Sequence, residues 1–208
     1  MPENKTGMDA EKKYPVITIS REYGALGNTL AKALSDRLGI PYYDRDFVKK
    51  TAEKSGYEEE EVEQEGEDLS ASMKMLNSFL SSAVSFSSSY DNIFEAQKQV
   101  VLELAESPCI IVGRCADHIL KEAGIDALSI FLFASVNDRR KVASELAENG
   151  DMNLDKYIEK RDKLRRTYYK TYTGCEMGNA NNYTICFDTG EISIPTCVDI
   201  IMKILEQD

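Results

Sequence analysis

Apolar and polar positions along the chain alternate between short strand-like runs and longer helical periods. Val16, Ile17 and Ile19 form a β-branched run that suits a strand buried on both faces of a parallel sheet. Glycines follow at 24 and 27, and Thr29, Leu30, Ala31, Ala33 and Leu34 read as a helix closing at Leu38-Gly39. Residues 40–43 read as a short strand, after which Asp44-Arg45-Asp46 opens another helix with Asp44 or Asp46 placed to cap it. Residues 109–112 and 128–133 are two further strongly apolar strands, and residues 183–187 a last one that ends at Asp188. The intervening patterns predict helices over residues 94–104, through Leu120, over 137–149, over 154–172 and, amphipathic, over 192–205. Strands alternating with helices predict an α/β domain around a parallel sheet.

Three segments break this rhythm. Residues 1–13 are polar and charged without a signal-peptide core, and are expected to be a disordered lead-in. Residues 57–68 are dense in glutamate and read as a solvated acidic helix. Residues 70–90 dilute Met73, Met75, Leu76, Phe79, Leu80, Val84 and Phe86 with many serines. That composition suits either a mobile helical hairpin over a cleft or an ordinary loop-and-helix insertion. Residues 14–208 are expected to form one domain.

Composition narrows the function. A formal charge of −11 argues against a general binder of nucleic acid or anionic membrane, since both need a positive field. An anionic small ligand would need a local cluster of Arg and Lys. No apolar run reaches the roughly 18 residues of a membrane span. The five cysteines are widely spaced, with no C-x-x-C pair, and His118 is the only histidine. Reduced thiols in a cytoplasmic protein follow, with no metal site expected from side-chain clusters. A charge-relay hydrolase is disfavoured too, because no serine sits in a nucleophile-elbow pattern.

A buried strand, a glycine-bearing turn and a helix together make an anion site, because the helix start offers unpaired N–H groups. The usual phosphate-loop pattern is G-x-x-x-x-G-K-[ST]. Aligned by strand and helix, Arg21 stands at the first glycine, Leu26 at the second, Gly27 at the lysine and Asn28 at the hydroxyl. None of the four matches, although a variant with glycine after the lysine keeps Thr29. A tight turn before a core helix is the competing reading. In open parallel sheets ligands sit at the carboxyl ends of the strands, which selects Ser20-Arg21-Glu22, Asp44-Arg45, Gly113-Arg114 and Asp188. Arg114 can grip a phosphate or carboxylate with two parallel hydrogen bonds. Asp117 could hold Arg114 or a sugar or base edge, or serve as a cap. Arg161 and Arg165, four apart, share one helix face, ahead of Tyr168, Tyr169 and Tyr172. They read either as arginines brought to a transferring phosphoryl group or as a solvated charged face, with the tyrosines packing in the core.

Taken in order, ITISREYG, YYDRD, IIVGRCADHIL, RDKLRRTYYKTYTG and NNYTICFDTGEI resemble the cytidylate kinase-like family of bacteria, from about Tyr14 to the C-terminus. The resemblance implies a P-loop kinase-type three-layer fold with a parallel sheet of about five strands. It also implies a helical NMP-binding insertion over residues 44–106 and a lid over residues 150–182. The implied reaction moves the γ-phosphoryl group of ATP, with Mg2+, to a pyrimidine nucleoside monophosphate, CMP or dCMP. Carried over by position, Gly24, Gly27, Asn28 and Thr29 would cradle the ATP phosphates beside Arg21. Asp44, Arg45, Gly113, Arg114, Asp117 and Asp162 would face the acceptor, and Arg21, Arg114, Arg161 and Arg165 would be the catalytic cations. Cytidylate kinases place lysine and glycine where Gly27 and Asn28 stand, so the phosphate loop is degenerate. Arg21 could substitute for the lysine, with Thr29 supplying the magnesium hydroxyl. A catalytically impaired nucleotide or anion sensor, or a kinase with another small acceptor, is the alternative. A homo-oligomer is compatible with the apolar residues of the insertion; nucleic-acid and membrane partners are not expected.

Overall fold

The computed structural model describes residues 14, 16–44, 46–56 and 89–206. The expected lead-in, Arg45, the acidic segment 57–68 and residues 70–88 of the Ser/Met-rich stretch lie outside the described residues. Five parallel strands form one sheet in the order β2-β3-β1-β4-β5. They are β1 (Val16–Arg21), β2 (Tyr42–Tyr43), β3 (Cys109–Val112), β4 (Ala127–Phe133) and β5 (Ile185–Asp188). The helices are α1 (Gly27–Leu38), α2 (Asp46–Ser55), α3 (Ser89–Leu104), α4 (Ala116–Glu122), α5 (Val136–Leu146), α6 (Leu154–Thr173) and α7 (Ile194–Leu205).

The period-2 alternation of the strands divides the core into two layers. Ile17, Ile19, Leu128, Ile130 and Leu132 pack with Leu30, Leu34, Cys197 and Ile201 of α1 and α7 on one face. Val16, Cys109 and Ile111 pack with Val100, Ile119, Tyr168 and Tyr169 of α3, α4 and α6 on the other. Register is fixed at the centre, where Ile19 of β1 lies beside Val112 and Ile130. β1 therefore has neighbours on both sides, as its uninterrupted apolar run required, and all the strand ends that carry polar residues emerge at one edge. No cysteine is in a disulfide.

Two strands start two residues later than the sequence pattern, while α3 starts five residues earlier than expected, at Ser89, and α5 ends three earlier, at Leu146. β2 is only two residues long, and β5 starts at Ile185 rather than at 183. Tyr183 is instead buried in the preceding loop, where its hydroxyl accepts from the Gly178 N–H at 3.4 Å. A tyrosine that needs a partner for its hydroxyl looks, by propensity alone, like another strand residue.

Candidate functional site

β1 ends at Arg21, and the chain then loops through Glu22, Tyr23, Gly24, Ala25 and Leu26 into α1. Leu26 is left-handed (φ 61°), and α1 begins without a side-chain cap. The first N–H groups of α1 therefore face the loop rather than a capping oxygen, which is the chemistry of an anion cradle. Gly24 (φ 79°) has no room for a side chain, since a Cβ there would lie 2.7 Å from the Arg139 carbonyl oxygen.

Arg21 runs across this cradle. A Cβ on Gly27 would stand 2.9 Å from Arg21 Cγ, and one on Gly113 2.1 Å from Arg21 Nη1. The side chain thus threads between two positions that carry none. Its guanidinium reaches Asp44 Oδ1 at 3.4 Å, while Asn28 Nδ2 donates to Asp44 Oδ2 at 2.8 Å. Asp44 accordingly ties the loop to the end of β2. Thr29 is exposed in the first turn of α1.

The turn after β3 is strained. Gly113 (φ 78°), Arg114 (φ 60°) and Cys115 (φ 56°) are three consecutive left-handed residues, and the two non-glycines cost roughly 1–2 kcal/mol each. Arg114 Nη1 is buried with no hydrogen-bond partner among the described residues. A strained turn that presents a buried, unmatched guanidinium nitrogen is a place where an anion would repay both costs.

Lining one pocket are Arg21, Arg114 and Arg165, with Ser20, Cys115 and Tyr169 among the other walls. The Arg161 and Arg165 guanidinium groups lie 5.9 and 5.6 Å from the centre of the Tyr23 ring in the loop between β1 and α1. The structure therefore brings together Arg21, Gly113, Arg114 and Arg165 at the sheet edge, beside Gly24, Gly27, Asn28 and Asp44.

Asp117 and Asp162 are each held by partners distant in sequence. Asp117 is buried, and its carboxylate accepts from Ser20 Oγ (3.4 Å) and Tyr169 Oη (2.6 Å), not from Arg114. Burial pushes its carboxyl above the usual range, partly offset by the Tyr169 hydrogen bond. Asp162 turns to the loop between β1 and α1. It accepts from the Tyr23 N–H at 2.8 Å and from Arg139 Nη1 at 2.6 Å. Arg139 also donates to the Tyr23 carbonyl (3.0 Å) and pairs with Glu22 (3.3 Å). Burial raises the Glu22 carboxyl, with Arg139 opposing.

Sequence reasoning missed Arg139 altogether. The signal available was helical phase: Arg139 and Ala143 share the buried face of α5, whereas the adjacent Arg140 is exposed and pairs with Asp155 at 2.8 Å. Asp188, a candidate from its place after the last strand, accepts from the Gly190 N–H at 3.0 Å and so closes its own turn. Among the described residues no group of three or more His, Cys, Asp or Glu side chains could hold a metal ion. No described helix is long and apolar enough to cross a membrane.

The family model of the cytidylate kinase-like family matches residues 16–191. No curated protein matches the chain. Among solved structures, the chain is similar to an uncharacterized protein from Eubacterium ventriosum, at 22% identity and a TM-score of 0.65, covering 93% of this chain and 99% of that one. It is also similar to shikimate kinase from Bacteroides thetaiotaomicron, at 17% identity and a TM-score of 0.55, over 92% and 98% of the two chains. A third similar structure is deoxyadenosine kinase from M. mycoides, at 15% identity and a TM-score of 0.50, over 92% and 98%. At these identities the likeness shows a shared fold.

Proposed function

Because the chain belongs to the cytidylate kinase-like family, we propose that it transfers the γ-phosphoryl group of ATP to a pyrimidine nucleoside monophosphate, CMP or dCMP. The observation that carries this reading is the buried, unmatched Nη1 of Arg114 beside Arg21 and Arg165, at the edge where α1 starts uncapped. In a chain of net charge −11, cations gathered there mark the place for a strongly anionic ligand.

The residues present fit a nucleotide. Backbone N–H groups of Gly27 and Asn28 would hold the phosphates of ATP, and Thr29 offers one hydroxyl to a phosphate-bound magnesium ion. Bound together, ATP and magnesium supply the transferable phosphoryl group and neutralise part of its charge. Arg114 would grip the acceptor phosphate, and Arg165 would steady charge developing between donor and acceptor. Arg161, over the same tyrosine ring, would support Arg165. Arg21 replaces the lysine that the loop lacks, and Asp44 is the group an acceptor would meet beside it. The phosphate loop is thus degenerate in sequence but furnished with a cation from β1.

A second reading, a nucleotide sensor without turnover, is favoured by one observation: Asp44 already holds both Arg21 and Asn28, which partly neutralises that cation. The deciding measurement is ADP formation from ATP with CMP, dCMP or UMP, with and without Mg2+. On the kinase reading, Arg114→Ala and Arg165→Ala lower kcat by about 100- to 1000-fold while the melting temperature persists. Nucleotide binding without transfer to any monophosphate would replace the kinase by the sensor, and absence of binding would remove both.

A further inference from the structure

One anion already sits against the cradle, and it belongs to the chain itself. The start of α1 offers backbone N–H groups without a side-chain cap, the Asn28 amide, and the Arg21 guanidinium laid across it. The amide and the guanidinium are both engaged by a single carboxylate. Asp44 Oδ2 accepts from Asn28 Nδ2 at 2.8 Å, and Asp44 Oδ1 lies 3.4 Å from Arg21 Nη2. A carboxylate meets such a pair of donors through two oxygens on one centre, as a phosphate does. Asp44 thus presents an anionic ligand's chemistry to the loop from a separate element, 16 residues beyond Asn28.

The hold is incomplete and its anchor is slight. Charge-assisted hydrogen bonds from arginine to an anion settle at about 2.7–2.9 Å, so the 3.4 Å approach of Asp44 to Arg21 leaves a tighter grip available to another anion. Both side chains are partly open to solvent, at 14% and 21% exposure, which screens their attraction. Behind Asp44 stands β2, two residues long, at the edge of the sheet and paired with β3 alone. Shifting its end disturbs few backbone hydrogen bonds. Arg21 ends the central strand β1 and is flanked by Gly27 and Gly113. Of the two partners, the carboxylate is therefore the one that gives way.

We propose that Asp44 is an internal competitor for the cradle, an autoinhibitory contact that an incoming phosphate group displaces, releasing Asp44 and the start of α2. The proposal rests on the reading of the cradle as a phosphate site and adds its regulation. Displacement couples the two sides of the cleft. Once a phosphate holds Arg21 and Asn28, the Asp44 carboxylate is free to accept from a donor group on a second ligand. By linkage, a second ligand that engages Asp44 leaves the cradle open to phosphate. Each ligand tightens the other without touching it.

Calorimetric titration of the full chain with inorganic tripolyphosphate, in metal-free buffer, tests this on the parent protein, Asp44→Asn and Asp188→Asn. Asp188 also follows a strand at this edge, and its oxygen closes its own turn. Its variant therefore reports the loss of one negative charge there without the release of Arg21. Asp44→Asn binds tripolyphosphate about tenfold more tightly than the parent, and Asp188→Asn stays within about twofold. Amide hydrogen exchange at residues 42–44 and 46–49 quickens when tripolyphosphate binds the parent, and in Asp44→Asn it is already quick without the ligand. Equal tightening in the two variants, or an Asp44→Asn that binds no more tightly than the parent, overturns the proposal and leaves the phosphate site standing. Exchange in the parent that is indifferent to bound tripolyphosphate does the same. Absence of binding in all three proteins removes the phosphate site itself, and the proposal with it.

Discussion

Single residues carry more of this fold than the family motif suggests. Gly24 is required by a neighbouring backbone, because the Arg139 carbonyl oxygen would be 2.7 Å from a Cβ at φ 79°. Gly24→Ala is expected to lower the unfolding free energy by about 2 kcal/mol, read from urea denaturation midpoints. Arg139 and Asp162 have side chains only 6% and 5% exposed. Taking the cation away strands Asp162 and part of Glu22 in the interior. Arg139→Met should therefore cost about 3–5 kcal/mol, whereas the neighbouring Arg140→Met, which breaks an exposed pair with Asp155, stays within about 1 kcal/mol. Thermal unfolding of the two variants side by side gives the comparison. Helical phase turns Arg139 inward beside Ala143, but the size of either cost has no local mark, since glycine in a loop and arginine in a charged helix are ordinary letters; only the tertiary neighbour makes them expensive.

At the scale of elements, α6 is joined to the β1–α1 loop at three levels along its length. Ile158 packs near Tyr23, Asp162 takes the Tyr23 N–H, and Arg161 and Arg165 lie over the Tyr23 ring. Further on, Tyr168 and Tyr169 enter the core. A double-mutant cycle on Tyr23→Leu and Arg165→Met is expected to show a coupling of about 0.5–1 kcal/mol in unfolding free energy. Additivity of the two changes would mean that the ring and the guanidinium are neighbours without interaction. The strands were legible as short uninterrupted apolar runs and most helices as 3.6-residue periods, flanked by glycine, proline or a capping side chain, as Ser135, Asn153 and Ser193 cap α5, α6 and α7. The arginines at strand ends were legible for the same topological reason. What the sequence concealed was pairing across elements: Asp117 with Tyr169, Asp162 with Arg139, and Arg21 laid between Gly27 and Gly113, all separated by many residues and set by the packing of α4, α5 and α6.

For the whole molecule, the balance of buried carboxyls sets a pH dependence. Burial holds both Asp117 and Glu22 above the ordinary carboxylate range. The folded state thus binds these protons more tightly than the unfolded chain does. Their contribution to stability is complete below the ordinary value of about 4 and is lost as the pH rises through the raised values. Asp117→Asn, which keeps an acceptor for Tyr169, removes one such site. Its stability relative to the parent protein should therefore improve as the pH goes from about 4 to about 7, measured as the difference in melting temperature; a constant difference would show that Asp117 is not the titrating group. An acidic chain with Arg21, Arg114 and Arg165 gathered at one sheet edge also predicts that binding of a polyanion there weakens as salt is added, over a Debye length of about 10 Å at 0.1 M.

The path of Arg21 sets a rule for anyone rebuilding the loop. Two residues with no side chain, Gly27 and Gly113, are the banks of a channel that one long side chain fills. A lysine installed at position 27 would have to emerge through Arg21 Cγ, so the positive end can be supplied from the strand or from the helix, but not from both. Moving the cation from the strand to the helix is consequently a paired exchange: Arg21→Gly together with Gly27→Lys is expected to be tolerated, while Gly27→Lys alone is expected to displace the resident guanidinium and unseat Asp44.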